Sequence, residues 1–251
     1  MSELRVVTAD LHVHTCLSPC ADLDMTPQKI VAQAQRLKLG MIAITDHNSA
    51  ENVGAVIKAA AATDLVVIPG LEITTAEETH ILGLFGSLAS ALAMQELVYE
   101  HLTLGDNDEE LFGLQVVANE LDEVEGMCSR LLIGATDLSV DLVVDAIREL
   151  GGIAVASHID RESYSLISQL GFIPPNLKLA AVDISRQLTL REARARFVEY
   201  QDYAFLSTSD AHDLSQLGSN PVQLLMAGED FDELVLALAG RDGRRVIENG
   251  D

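Results

Sequence analysis

Short apolar runs alternate along this chain with longer stretches in which apolar residues recur every three or four positions. Such runs are typical of strands buried on both faces, and the three-to-four spacing is typical of amphipathic helices. The runs predict strands at residues 5–14, 41–45, 65–72, 80–85, 153–158, 180–185 and 203–207. The intervening spacing predicts helices at residues 26–39, 52–62, 139–150 and 190–200.

The regular alternation of strands and helices predicts an α/β fold built on a parallel sheet that is covered on both faces. Six or seven such units favour a barrel over an open sheet, and we predict a single domain over residues 1–251. Residues 87–138 break the alternation with a helix at 88–101, an acidic patch at 105–110 and a hairpin around 121–126. We interpret this segment as a cap-like insertion on the barrel rim, although a surface excursion without a role fits the pattern equally well.

Composition supports a compact globular protein, because 48% of the 251 residues are hydrophobic and low-complexity sequence is almost absent. No apolar segment approaches the roughly 18 residues that a membrane span requires, and the first residues lack the apolar core of a signal peptide. The three cysteines show no disulfide or zinc-knuckle spacing. We therefore expect a cytoplasmic protein without membrane contact; the sequence leaves its oligomeric state open.

The net charge of −23 argues against a protein that grips nucleic-acid backbones, since such proteins carry basic patches. A small anionic substrate remains compatible with this charge, because divalent cations in a pocket reverse the local field. The charge therefore predicts a small substrate and no nucleic-acid duplex as partner.

Polar residues gather where the predicted strands end, and six of the seven histidines are among them. Residues two apart in a strand point the same way, so His12 and His14 present both imidazoles to one point. The ends of parallel strands in a barrel converge on one face. Nine side chains are candidate metal ligands on this basis: His12, His14, Asp22, His47, Glu72, His80, His158, Asp210 and His212.

Imidazole and carboxylate without thiolate suit zinc, manganese or iron(II). A catalytic zinc needs only three protein ligands, so nine candidates predict two or three divalent ions.

The order of these motifs resembles the polymerase and histidinol phosphatase (PHP) family of metal-dependent phosphoesterases. HxH at 12–14 is followed by TDH at 45–47, GLE at 70–72, two single histidines and DAH at 210–212. The resemblance implies a distorted (β/α)7 TIM-like barrel and three metals. By the same resemblance, Glu72 bridges the first two metals and the ligand sets are His12, His14, Glu72 and Asp210; Glu72, His80 and His158; and Asp22, His47 and His212.

One carboxylate departs from the family pattern. The family places an acid soon after HxH, as in HTxxSD, whereas this chain has HTCLSPCAD and the carboxylate of Asp22 arrives three residues late. Asp24 therefore competes with Asp22 for the third site. Asp46 follows strand two directly and is expected to orient His47 or to cap the following turn.

The resemblance implies hydrolysis of a phosphomonoester or diester, in a small phosphorylated metabolite or nucleotide, by a metal-bridged hydroxide. Bridging cations lower the pKa of bound water from about 15.7 toward about 7. Cationic side chains assist phosphoryl transfer, and Arg161 is the first candidate for a catalytic phosphate clamp, followed by Arg186. Ser163 and Ser185 are candidate hydrogen-bond donors to the same substrate. A surface ion pair is the alternative role for either arginine.

Two other functions remain open. Amidohydrolases also begin with HxH on a barrel and end with an aspartate, but they commonly bridge their metals with a lysine from strand four, and residues 80–85 contain none. A non-catalytic regulatory PHP domain is disfavoured by the nearly complete ligand set. A nuclease would need a basic groove or a binding partner, and neither is visible in the sequence.

Overall fold

A computed structural model describes residues 3–247; residues 1–2 and 248–251 of the predicted domain lie outside the described residues. The strands are β1 (Arg5–Val13), β2 (Met41–Ile44), β3 (Val66–Thr74), β4 (His80–Leu84), β5 (Val116–Ala118), β6 (Val124–Met127), β7 (Ile153–Ala156), β8 (Ala181–Ile184), β9 (Ala204–Ser207), β10 (Val222–Met226) and β11 (Arg245–Ile247). The helices are α1 (Pro27–Arg36), α2 (Val53–Ala60), α3 (Leu88–His101), α4 (Glu109–Phe112), α5 (Val140–Glu149), α6 (Leu166–Leu170), α7 (Leu190–Arg196) and α8 (Phe231–Leu238).

Nine strands form one sheet in the order β11, β10, β1, β2, β3, β4, β7, β8, β9. The sheet curls into a nearly closed barrel with helices around it, which confirms the predicted distorted TIM-like fold. Strands β1 to β3 are parallel, as are β7 to β9. The expectation of a parallel sheet is wrong at β4, and the two strands that were not predicted, β10 and β11, are antiparallel to their neighbours as well.

The reversal of β4 matters for the site. Thr74, the last residue of β3, pairs with His80, the first residue of β4. A strand that runs backwards presents its beginning, rather than its end, at the mouth of the barrel. His80 therefore lies beside the carboxyl ends of the parallel strands.

The core has two layers because the strands are buried on both faces. In β2, Met41 and Ala43 pack in one cluster, whereas Ile42 and Ile44 pack in another. The first cluster joins strands from opposite ends of the sheet, β10 and β1 with β8 and β9, which requires the sheet to curl. The second cluster packs the outer face of the strands against α1, α2, α3 and α5. Apolar burial on both sides holds the barrel mouth in a fixed shape.

The segment predicted as an insertion has two parts. Helix α3 packs against the outer face of the barrel through Ala91, Met94 and Val98. The chain then forms α4 and the hairpin β5–β6, close to the predicted hairpin position. Asn48 donates hydrogen bonds of 2.8 Å to the carbonyls of Leu132 and Gly134, which ties the end of this segment to the loop after β2.

The helices are short. The longest described helix, α3, has 14 residues. Within residues 3–247, no helix combines the length and the apolar character needed to cross a membrane.

Candidate metal centre

The polar ends of six strands meet at one end of the barrel. His12 lies in β1, Glu72 lies in β3 and His80 opens β4. The other members of the cluster follow the ends of β1, β2, β7 and β9: His14, His47, His158, Asp210 and His212. All of them are buried except His212, whose side chain is 25% exposed.

The carboxylate of Glu72 lies at the centre of this cluster. Five imidazole nitrogens surround its two oxygens. Around Oε1 lie Nε2 of His12 at 3.3 Å, Nδ1 of His80 at 3.1 Å and Nε2 of His158 at 3.4 Å; around Oε2 lie Nε2 of His14 at 3.5 Å and Nδ1 of His47 at 3.2 Å. One carboxylate in contact with five imidazoles can bridge two cations, each completed by different histidines.

Asp210 forms the opposite side of the cluster. Its Oδ1 atom lies 3.3 Å from Nε2 of His12, 3.2 Å from Nε2 of His14 and 3.6 Å from Nδ1 of His212. Asp210 has a φ of 48° and His158 a φ of 29°, a left-handed conformation that is uncommon for residues other than glycine. Such backbone strain concentrates at functional sites, where the surrounding structure holds it in place.

A second layer of polar side chains fixes the orientation of the first two imidazoles. Nδ1 of His12 lies 3.4 Å from Oδ2 of Asp183. Ser18 donates its hydroxyl to Asp46 at 2.7 Å, so its oxygen accepts from Nδ1–H of His14 at 3.0 Å. Both imidazoles are thus held through Nδ1 and turn Nε2 toward the centre, the nitrogen that would bind a cation.

These two nitrogens point at the same place. Nε2 of His12 and Nε2 of His14 lie 3.2 Å apart, a distance at which a positive charge, either a proton or a metal ion, lies between them. Four buried atoms of the cluster also lack a hydrogen bond of good geometry among residues 3–247: Nδ1 of His47, His80 and His158, and Oε1 of Glu72. Buried polar atoms without partners are rare, and an ion is one of the accepted explanations.

The charges in the cluster support the same interpretation. Burial alone raises the pKa of Glu72 and Asp210, but the positive charge of nearby imidazoles outweighs it and holds both values well below the usual range. Burial, followed by the neighbouring His212, lowers the pKa of His14 to about 4. Ionised carboxylates and a neutral imidazole are the forms that bind metal ions.

Seven of the nine predicted ligands fall into three groups whose donor atoms lie within 4.8 Å of one another. The groups are His12, His14, Glu72 and Asp210; His47, Glu72 and His80; and His14, His47 and His212. The first is the expected first site. In the second, His47 stands where His158 was expected, and in the third, His14 stands where Asp22 was expected.

Asp22 lies outside all three groups. It is exposed, and its Oδ1 accepts a hydrogen bond of 2.8 Å from the backbone of Asp24. Asp24 is exposed as well and forms an ion pair of 2.6 Å with Lys29. The backbone N–H of Asp22 bonds the carbonyl of His212 at 2.7 Å, so the loop touches the cluster although neither carboxylate enters it. A ligand role for either residue stays a prediction.

Two of the four predicted phosphate-binding residues lie beside the cluster. Arg161 and Ser163 line a cavity of about 260 Å³ that opens onto the cluster, together with Ile133 and Tyr164. The Tyr164 ring stacks on the His80 ring with centroids 4.7 Å apart. A terminal nitrogen of Arg161 lies 2.5 Å from Oδ2 of Asp210. Ser185 and Arg186 do not line this cavity.

Sequence reasoning missed two buried carboxylates. Asp183 contacts His12 and also accepts from Thr208 Oγ1 at 2.8 Å. Asp10 accepts hydrogen bonds from the backbone of Ser209 at 3.0 Å and from its hydroxyl at 2.6 Å, which fixes the loop that carries Asp210. The available signal was an acid within an otherwise apolar strand, since such a residue needs buried partners. Asp46 was expected to orient His47 or to cap the following turn; through Ser18 it reaches both the side chain of His14 and the backbone N–H of His47.

Comparison with known proteins agrees with this geometry. The model of the PHP domain family matches residues 10–161, more than half of the chain. The uncharacterized protein YqxK of Bacillus subtilis (strain 168) is 30% identical over 108 residues, 41% of this chain and 28% of that protein. The 5′-3′ exoribonuclease Rnm of Salmonella typhimurium is 35% identical over 82 residues, 32% of this chain and 27% of Rnm. The chain thus matches less than a third of the length of either relative.

Two solved structures have the same fold. The lesion-specific endonuclease PfuEndoQ of Pyrococcus furiosus superposes with a TM-score of 0.73 at 17% identity, covering 96% of this chain and 58% of that chain. Endonuclease Q in complex with a 27-mer duplex substrate, which carries an abasic lesion at the active site, superposes with a TM-score of 0.70 at 17% identity and the same coverage.

The expectation of a small substrate and no nucleic-acid duplex is wrong. Endonuclease Q, a protein of this fold, binds a 27-mer duplex with an abasic lesion at its active site, and the sequence relative Rnm is an exoribonuclease. The expectation fails because net charge is a sum over the whole surface, whereas a phosphate meets the local field of a pocket.

The family and the fold agree with the sequence prediction. The family match covers the motifs from HxH at 12–14 through His158, whereas DAH at 210–212 lies beyond it. PHP domain hydrolases are metal-dependent enzymes that act on phosphoesters. The match over more than half of its length shows that this chain belongs to the PHP domain family.

Proposed function

We propose that this protein is a metal-dependent phosphodiesterase that hydrolyses phosphodiester bonds of nucleic acids. The observation that carries the proposal is the buried Glu72 carboxylate in contact with five imidazoles at the barrel mouth. The similarity to Rnm and to endonuclease Q supports nucleic acid as the substrate class.

Two or three ions of zinc, manganese or iron would be held by the residues of the cluster: His12, His14, His47, Glu72, His80, His158, Asp210 and His212, with Asp22 as a further candidate. Divalent cations at such a site lower the pKa of water and neutralise phosphoryl oxygens. Asp183 and Ser18 contact Nδ1 of His12 and of His14, which directs the Nε2 atoms inward. The hydrogen bonds to these residues fix the imidazoles before any substrate arrives.

Arg161 and Ser163 line the cavity beside the cluster and are placed to bind the phosphate. The guanidinium is 36% exposed and can exchange its contact with Asp210 for a phosphate oxygen. Tyr164 and Ile133 form the apolar part of the same cavity. An aromatic ring at this position offers a stacking surface for a base.

Hydrolysis by the metal-loaded protein tests the proposal directly. Protein treated with chelator and then loaded with manganese, zinc or iron(II) is assayed on single-stranded DNA, on RNA and on a duplex with an abasic site. We expect cleavage of at least one of them that chelator abolishes. A protein that cleaves none of the three with any of these metals is not a nuclease, and the proposal fails.

Metal binding is expected to stabilise the fold. At a metal concentration of about 100 times Kd, binding contributes about 2.7 kcal/mol to the free energy of unfolding. For a domain of this size, that raises Tm by about 5–10 °C. Thermal unfolding of chelator-treated protein with and without manganese or zinc measures the shift. Calcium, which prefers oxygen ligands, is the control and should give a smaller one; equal shifts for all three ions would contradict an imidazole-rich site.

Replacement of Arg161 by alanine is expected to raise KM for the nucleic-acid substrate about tenfold, because a charged hydrogen bond to phosphate is lost. Metal content, measured by elemental analysis, should stay close to that of the wild type. Arg148→Ala, which removes an exposed arginine of α5, is the matched control. An unchanged KM and kcat, or a parallel loss of metal, would show that Arg161 does not bind the phosphate.

A further inference from the structure

A second cavity, of about 540 Å³, adjoins the metal centre and is lined by three arginines. Arg161 and Ser163 line both cavities, so the two cavities adjoin at these residues. Arg186 and Arg196 line only the second one, which we call the arginine pocket.

Two of the three arginines that line this pocket have no acidic side chain in ion-pair contact. Arg161 pairs with Asp210, but within residues 3–247 neither Arg186 nor Arg196 forms an ion pair within 4.0 Å. Arg186 acts on Asp213 only from a longer distance. The Asp160 carboxylate, which also lines the pocket, is engaged by hydrogen bonds of 2.8 and 2.6 Å from the backbone and hydroxyl of Ser185. The guanidinium groups of Arg186 and Arg196 can therefore accept an external anion.

The position of this pocket relative to the metal centre is fixed by the fold. Ser185 and Arg186 directly follow β8, the strand that carries Asp183 and thereby contacts His12. Arg196 ends α7, a helix that begins with a capping box between Thr189 and Glu192. Guanidinium groups match phosphate oxygens in geometry as well as in charge. The fold thus holds these guanidinium groups in a fixed position relative to the ligand cluster.

We propose that the arginine pocket binds a phosphate of the nucleic-acid strand next to the one that is cleaved, which rests on the proposed function. A strand offers successive phosphates along its backbone, and a cavity that shares Arg161 and Ser163 with the cavity at the metal centre lies within reach of a neighbouring phosphate. A single-phosphate ester leaves the pocket empty. The pocket therefore favours a polynucleotide over a simple phosphodiester.

The ratio of two activities tests this inference. Manganese-loaded protein is assayed on a single-stranded oligonucleotide and on bis(4-nitrophenyl) phosphate, which has one phosphate. The quantity compared is kcat/KM for the oligonucleotide divided by kcat/KM for the aryl ester. In the Arg186→Gln/Arg196→Gln double variant this ratio should fall about tenfold, because each of the two lost contacts with phosphate contributes about threefold. Arg191→Gln, an exposed arginine of the same helix that does not line the pocket, should keep the wild-type ratio.

Neutral methylphosphonate linkages identify the phosphate concerned. A series of oligonucleotides carries one such linkage each, at successive positions beside the cleaved bond. At one position the linkage should reduce kcat/KM of the wild-type protein about tenfold. The same linkage should have almost no further effect on the double variant, because the two changes remove the same contact. Two results would overturn the role of the arginine pocket and leave the proposed function standing. One is an unchanged activity ratio in the double variant. The other is a loss from the methylphosphonate that adds to the loss from the double variant at every position. Wild-type protein that cleaves neither substrate overturns the proposed function together with it.

Discussion

Glu72→Gln is expected to reduce phosphodiester hydrolysis at least about 1000-fold, which corresponds to about 4 kcal/mol of lost transition-state stabilisation. Glutamine has nearly the same size as glutamate but is neutral, so the variant removes the charge that five imidazoles surround while it keeps the shape of the side chain. Metal content should fall with activity, because Glu72 belongs to two of the three donor groups. Steady-state kinetics and elemental analysis on the same preparation measure both quantities.

Glu96→Gln is the matched control, because it makes the same change at an exposed position of α3. It should retain wild-type activity and metal content. Circular dichroism shows whether each variant is folded, which separates loss of the site from loss of the barrel. Folded Glu72→Gln protein that retains its metal and more than a tenth of its activity would remove Glu72 from the centre of the mechanism.

The convergence of the ligands could be predicted because it depends on simple periodicities. Two histidines separated by one residue share a face of a strand, and the ends of parallel strands share one end of a barrel. These two rules, applied to apolar runs, bring His12, His14 and Glu72 to the same place. In the structure the side-chain nitrogens of His12 and His14 lie 3.2–3.5 Å from each other and from the Glu72 carboxylate.

The direction of β4 was not predicted, although the sequence carries a signal for it. Apolar periodicity is the same for a strand that runs in either direction. Only residues 75–79 separate β3 from β4, and a crossover between parallel strands needs a dozen or more residues. The short connection requires an antiparallel pair, and it explains why His80 serves the site from the beginning of its strand.

Contacts between distant side chains lie beyond the reach of sequence patterns. Asp183 is 171 residues from His12 in sequence, and nothing in the local sequence connects the two. The place of Asp22 depends in the same way on a loop, because the turn after Ser18 directs its carboxylate to a neighbouring backbone N–H and away from the cluster. Periodicity predicts which residues face the barrel mouth, but loop geometry decides which atoms meet there.

His12→Ala is expected to reduce activity at least about 1000-fold, because the imidazole contacts both carboxylates of the first donor group. Asp183→Asn should reduce activity about 10–100-fold, which is the usual effect of replacing a residue that orients a metal ligand. Asparagine can no longer stabilise the Nδ1–H of His12 with a negative charge, so the imidazole loses both its orientation and some of its basicity.

The two substitutions together test whether Asp183 acts through His12. If it does, Asp183→Asn adds little to His12→Ala, and kcat/KM of the double variant equals that of His12→Ala within about twofold. Additive losses would show a separate role, through the contact of Asp183 with Thr208 or with the backbone of His158. Thr208→Val isolates the first of these, because it removes only the hydroxyl that bonds Oδ1 and leaves the Oδ2 contact with His12 in place. Activity close to wild type in Thr208→Val, combined with the non-additive pair, would assign Asp183 as the residue that positions His12 for metal binding.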